Sequence, residues 1–104
     1  MKHLLLIFSL LMVTSFCLAQ EENTIKGTVI STTSTQPMEG VNIVNLNLVK
    51  GTSTNENGAF EIRAKVNDTL HFSYLGYESI KVKVTNDWLK FGDVKIEMTE
   101  VGLT

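Results

Sequence analysis

A chain of 104 residues with nine Lys and Arg against eleven Asp and Glu has a net charge of −2, room for one small domain and not for two. Neither sign gathers into a block. Without a basic stripe to neutralise phosphates a nucleic-acid partner is not expected, and no acidic tail or low-complexity tract is present.

The first residues read as a leader rather than as fold. Lys2 and His3 precede an apolar run from Leu4 to Val13, broken only by Ser9, and small residues ending in Cys17-Leu18-Ala19 come before Gln20. A short basic start, an apolar stretch of this length and a small residue at its end predict a secretory signal peptide over residues 1–19, cleaved after Ala19. The run is too short to span a bilayer comfortably. Cys17 offers a competing reading, a lipoprotein acylated on that cysteine, but the bulky Phe16 stands where such signals want a small residue. Cleavage after Ala19 leaves about 85 residues. They hold no cysteine, and eight Lys and Arg face eleven Asp and Glu, a balance of −3. Such an exported domain folds on packing alone, without disulfides. Residues 20–24 form a short linker, 25–99 the domain, and 100–104 a tail or the start of a linker.

Along the domain, Ile25-Lys26-Gly27-Thr28-Val29 alternates apolar with polar and predicts a first strand. Ser31 to Gln36 is a polar Ser/Thr loop, and Pro37 fixes φ before the chain extends again. Val41-Asn42-Ile43 opens a second strand whose phase then slips, because Val44, Leu46 and Leu48 are the next apolar residues. A one-residue slip turns an inward face outward, so a bulge or a hairpin tip is expected near Asn45 to Asn47. Val49 to Thr54, rich in β-branched residues, resumes the sheet. Asn55-Glu56-Asn57-Gly58 is the clearest turn, since Asn tolerates left-handed dihedrals and Gly58 supplies positive φ without steric cost.

Phe60, Ile62 and Ala64 then face one side, with Glu61 and Arg63 on the other. After a turn at Asn67-Asp68, Leu70, Phe72 and Tyr74 repeat the inward pattern, opposed by His71 and Ser73, and the run closes on Gly76-Tyr77. Ile80, Val82 and Val84 form the next inward set, with Lys81 and Lys83 outward. Asn86-Asp87 breaks the sheet, Trp88-Leu89 covers one end of the core, and Val94, Ile96 and Met98 give the last strand. About seven short strands without a helical period predict an all-β, seven-stranded antiparallel β-sandwich.

Chemistry is scarce on this scaffold. His71 is the only histidine after the leader, and it has neither a mature cysteine nor a His-x-x-x-His or His-x-x-Glu spacing to build a metal site. Asn55, Asn57 and Gly58 echo part of a calcium loop, but the turn offers one carboxylate, Glu56, where such a loop needs several. Ser73 lacks the Gly-x-Ser-x-Gly elbow that activates a serine nucleophile. Asn67-Asp68-Thr69 matches the glycosylation pattern, and turn chemistry already accounts for it. Phe72 and Tyr74 share the inward phase and read as core. Tyr77 and Trp88 stand at element ends, where a partly exposed aromatic can stack on a sugar, so they are the candidate ligand contacts. No catalytic residue, metal ligand or cofactor is expected.

Four blocks in order resemble a carboxypeptidase-regulatory-like domain. They are Ile25-x-Gly27-x-Val29; Pro37-Met38-x-Gly40-Val41-x-Ile43; Gly51-Thr52-x-Thr54-Asn55-x-x-Gly58-x-Phe60-x-Ile62; and Asp68-x-Leu70-x-Phe72-Ser73-Tyr74-x-Gly76-Tyr77. The resemblance covers Ile25 to Met98 and implies a transthyretin-like (prealbumin-like) sandwich without catalysis. In that family the domain accompanies some metallocarboxypeptidases as a regulatory domain. It also forms the N-terminal periplasmic extension of TonB-dependent outer-membrane receptors in Gram-negative bacteria. Asn55 departs from the family's usual Asp. Receptors continue into a plug and a barrel, whereas this chain ends at Thr104, as a fragment of a longer receptor or a stand-alone module would. The transthyretin-like hydrolases of purine breakdown use paired histidines and a C-terminal Tyr-Arg-Gly-Ser, neither of which is here.

The resemblance thus implies a non-catalytic, exported accessory domain, periplasmic or associated with the outer membrane. Its partner would be another protein or domain of an outer-membrane transport system, met by β-augmentation at an exposed edge strand. The expected edges are the first strand, Ile25 to Ile30, and the last, Val94 to Met98. The alternative is a glycan-binding or adhesive module using Tyr77 and Trp88.

Overall fold

The computed structural model describes residues 23–102. The leader, Cys17 and the cleavage point after Ala19 lie outside the described residues. Seven strands and one short helix follow in chain order: β1 (Asn23–Ser31), β2 (Asn42–Asn45), β3 (Lys50–Ser53), β4 (Ala59–Ala64), β5 (Thr69–Ser73), β6 (Ile80–Lys83), α1 (Asn86–Phe91) and β7 (Asp93–Met98). They build two sheets, β4-β1-β7 and β3-β2-β5-β6, packed face to face as a sandwich.

Period-2 alternation decides which side chains enter the core. Ile25 and Val29 from β1, Ile43 from β2, Phe60 and Ile62 from β4, Leu70 and Phe72 from β5, and Ile96 and Met98 from β7 are all buried. The outward positions Lys26, Glu61, Arg63, Lys81, Lys83 and Lys95 are exposed. Across the sandwich, the Phe60 ring meets the Phe72 ring edge-on at 5.7 Å and 74°, the T-shaped arrangement that the ring quadrupoles favour. Gly27 makes that packing possible: a Cβ there would lie 2.5 Å from the Val94 carbonyl oxygen and 2.7 Å from the Phe60 ring.

The structure departs from the sequence reading in five places. The expected all-antiparallel pairing holds for β1·β4, β2·β3, β2·β5 and β5·β6, but β1 and β7 run parallel, Lys26 opposite Asp93 and Ser31 opposite Met98. Parallel neighbours need a long connection; these are the first and last strands, so the rest of the domain serves as one. By the same topology β1 lies between β4 and β7 and is not an edge. The edges are β4 and β7 in one sheet and β3 and β6 in the other.

Tyr74, expected inside, lies one residue past the end of β5 and is 38% exposed. The chain has already left the sheet there, and strand phase no longer governs it. The phase of β2 does not slip: Val41, Ile43 and Asn45 are all fully buried, and the expected hairpin tip follows as the turn 46–49. Residues 86–91 form a helical turn that closes at Gly92 in the left-handed region, φ 83°, with the Gly92 N–H donating to the Trp88 carbonyl. Its Trp88 and Leu89 pack half-buried against the core, covering one end of it as expected.

Candidate interaction surface

The residues that carried a chemical question each have a structural occupation. The Asn55 Oδ1 accepts the backbone N–H of Asn57 at 2.9 Å and of Ala59 at 3.0 Å, a local turn that uses the oxygen a cation would need. Glu56 and Asn57 beside it are exposed. His71 is half-buried on β5, opposite Val44 on one side and Lys81 on the other, and Ser73 stands opposite Asn42. Among the described residues, no three His, Cys, Asp or Glu side chains gather where they could hold a metal ion.

Open hollows mark the faces of both sheets. One of about 560 Å³ includes Lys26, Thr28, Asn55, Glu61 and Asp93 in its lining. Lys26 and Glu61 form a 3.7 Å ion pair there, both about two-thirds exposed, so it is a solvated polar surface. Another, of about 640 Å³, lies over Val44, Gly51, Thr52 and Ser73 on the outer face of the second sheet. Neither brings together a nucleophile and a base to activate it.

The two aromatic candidates lie at opposite ends of the sandwich. Trp88 sits in α1, just before β7 begins, beside an open hollow of about 300 Å³ shared with Asp87, Gly92 and Lys95. Tyr77 lies where β1 and β7 end: its hydroxyl is 3.3 Å from a Glu100 carboxylate oxygen, to which it donates, and 3.4 Å from the Ser31 hydroxyl. The six residues of β7 separate the two regions, a distance of roughly 16 Å at the strand rise. They do not form one stacking platform.

Tyr77 has a different partner. The Tyr74 and Tyr77 rings meet edge-on at 5.6 Å and 64°. Between them the chain turns through Leu75 and Gly76, φ 86°, closed by the Tyr77 N–H donating to the Tyr74 carbonyl at 3.0 Å. The segment after β7 pins this turn from the side: the Glu78 N–H donates to the Thr99 carbonyl and the Val101 N–H to the Gly76 carbonyl, both at 2.9 Å. Leu75 is therefore held at the tip of a fixed turn, 97% exposed, with Tyr74 at 38% and Val101 at 50% around it. A leucine gains nothing from such a position in the isolated domain, and clustered exposed apolar side chains mark interaction surfaces. Sequence reasoning placed Tyr77 correctly at an element end but missed Leu75 and Val101. The signal available was an apolar residue wedged between Tyr74 and Gly76 in a turn.

The setting of this patch is acidic. The loops that meet at this end, 32–41, 54–58, 74–79 and 99–102, contain the exposed glutamates Glu39, Glu56, Glu78 and Glu100 and not one Lys or Arg. Backbone hydrogen bonds tie them to one another and to the sheet: Gly40 N–H to the Thr54 carbonyl, Val29 N–H to the Gly58 carbonyl, Thr32 N–H to the Met98 carbonyl. The buried Thr54 hydroxyl joins two of the loops, donating to the Met38 carbonyl and accepting the Val41 N–H at 3.0 Å. The result is a densely hydrogen-bonded end that is acidic and apolar at its tip.

Comparison with known proteins is consistent with the fold. A family model described as CarboxypepD_reg-like domain matches residues 25–103. No curated protein matches the chain. Among solved structures, 3-chlorocatechol 1,2-dioxygenase from Rhodococcus opacus 1CP is similar with a TM-score of 0.55 at 14% identity, over 80% of this chain and 61% of that one. The shaft pilin SpaA from Lactobacillus rhamnosus GG matches with a TM-score of 0.44 at 12% identity, over 79% of this chain and 48% of the pilin. The chain thus spans less than two thirds of either protein, and at such identity the dioxygenase match concerns the fold alone.

Proposed function

The chain belongs to the CarboxypepD_reg-like domain family, and from that premise we propose that it is a non-catalytic, exported interaction module that binds another protein through its acidic end. The observation that carries this reading is Leu75, 97% exposed at the tip of a hydrogen-bonded turn between two packed tyrosines. The loops at that end hold four exposed glutamates and no Lys or Arg, which selects a partner presenting Lys or Arg around an apolar pocket. The setting that fits the family is the periplasmic face of the outer membrane, where such domains extend TonB-dependent receptors. β-Augmentation is a secondary route. Of the strands expected to offer it, β7 is an edge, and its outward Asp93, Lys95 and Glu97 are the charges that discourage indiscriminate pairing.

The test is a pair of variants in the producing cell. Leu75→Asp should abolish co-purification of the partner, while Glu61→Ala on the sheet face leaves it intact. Sequencing the locus beyond the Thr104 codon tests the receptor setting, which predicts plug-and-barrel coding sequence. Equal recovery of the partner with both variants would show that the acidic end is not the contact.

A further inference from the structure

The opposite end of the sandwich carries a second exposed apolar turn. Its β2–β3 turn, residues 46–49, leaves Leu46 45% and Val49 83% exposed. Val49 has φ 54°, a left-handed conformation that a β-branched residue adopts only under compulsion. Asn45 supplies the compulsion: its carbonyl accepts the Val49 N–H at 2.8 Å, and its buried side-chain Oδ1 accepts the N–H groups of Asn47 and Leu48 at 2.9 and 3.2 Å. Glycine or asparagine would occupy the position without strain. The domain thus holds a valine in the conformation least suited to it and packs almost nothing against its side chain.

Lysines flank the turn. Lys50 follows Val49 directly. Lys83 pairs with Thr69, whose carbonyl accepts the Leu46 N–H at 2.9 Å. The Lys65 N–H donates to the Asp68 carboxylate oxygen that also accepts the Asn45 side chain. All three lysine side chains are exposed. The chain also enters the domain here, because Asn23 pairs with Ala64, the residue before Lys65.

We propose that this end seats on an anionic lipid surface, with Leu46 and Val49 in the headgroup boundary and Lys50, Lys65 and Lys83 on the lipid phosphates. Shallow apolar insertion and lysines near a negatively charged surface reinforce one another. The same polarity turns the four glutamates of the far end away from the membrane, toward a soluble or peripheral partner. This inference stands apart from the protein-binding reading, since it uses a different end of the domain.

The experiment is co-sedimentation of the exported, processed chain with vesicles of equal phosphatidylglycerol and phosphatidylcholine, and with phosphatidylcholine alone. Partition onto the anionic vesicles should be at least tenfold stronger and should collapse in 0.5 M salt, given counterion screening on the order of a few ångströms there. Val49→Asn relieves the strain, so its melting temperature should not fall, yet its partition should drop several-fold. Lys50→Glu with Lys65→Glu should lose binding, and Leu75→Ser at the far end should bind as the parent does. Equal partition onto both vesicles, undiminished binding by Val49→Asn, no binding at all, or self-association through this end in light scattering would each overturn the proposal.

Discussion

Replacing Asn45 by leucine probes the interior element that the hydrophobic pattern conceals. The two side chains share one branched heavy-atom skeleton and leucine leaves no cavity, so the change tests hydrogen bonding rather than cavity formation. Asn45 Nδ2 donates to the Arg63 carbonyl at 3.0 Å and to the Asp68 carboxylate at 2.9 Å, while Oδ1 accepts the Asn47 and Leu48 amides. Leucine removes one partner from each of these four groups. The two turn amides are only part-buried and recover water, whereas the Arg63 carbonyl and the buried Asp68 carboxylate lose partners. At about 1–3 kcal/mol for each buried group that loses a partner, offset by roughly 1 kcal/mol for the apolar side chain gained, the net loss is about 3 kcal/mol. A domain of this size has about 4–12 kcal/mol in total, and the melting temperature should fall by roughly 15 °C. Urea unfolding followed by Trp88 fluorescence and far-ultraviolet circular dichroism measures it. A loss below about 1 kcal/mol would refute the view that Asn45 clamps the β2–β3 turn to the β4–β5 turn.

Three other substitutions test separate parts of the account. Gly27→Ala places a Cβ against the Val94 carbonyl and the Phe60 ring and should cost about 2–3 kcal/mol; unfolding within 0.5 kcal/mol of the parent would mean that the sheet yields there. Val49→Asn should raise stability by about 1 kcal/mol, because it removes a strained left-handed valine, and a lower denaturation midpoint would contradict that strain. Lys26→Ala should change stability by less than about 0.5 kcal/mol, since its ion pair with Glu61 is long and solvated; a double-mutant cycle giving more than 1 kcal/mol of coupling would show otherwise.

What the sequence discloses follows from which forces are periodic. Phe60-Glu61-Ile62-Arg63-Ala64 and Leu70-His71-Phe72 sort their side chains by burial alone, and the structure places every one of them on the expected face. Asn45 misled because a buried polar residue breaks the apolar pattern without breaking the strand; only its hydrogen bonds to residues 18 and 23 positions away justify its burial. The parallel β1·β7 pair is a property of topology and leaves no mark on either strand's own residues. Tyr77 was identifiable from its place at an element end. Leu75 was not, since nothing local distinguishes an apolar residue exposed in a turn from one that folds back on the core. The gathering of Glu39, Glu56, Glu78 and Glu100 at one end is equally invisible in a chain whose charges look scattered.

The central claim, that the acidic end around Leu75 is where a protein partner binds, is tested most directly by site-specific photo-crosslinking in the producing cell. A photoreactive residue at position 75 should give a discrete adduct with one protein, while the same residue at position 61, on the exposed face of β4, gives none. Absence of an adduct at position 75, or the same adducts at both positions, would contradict it.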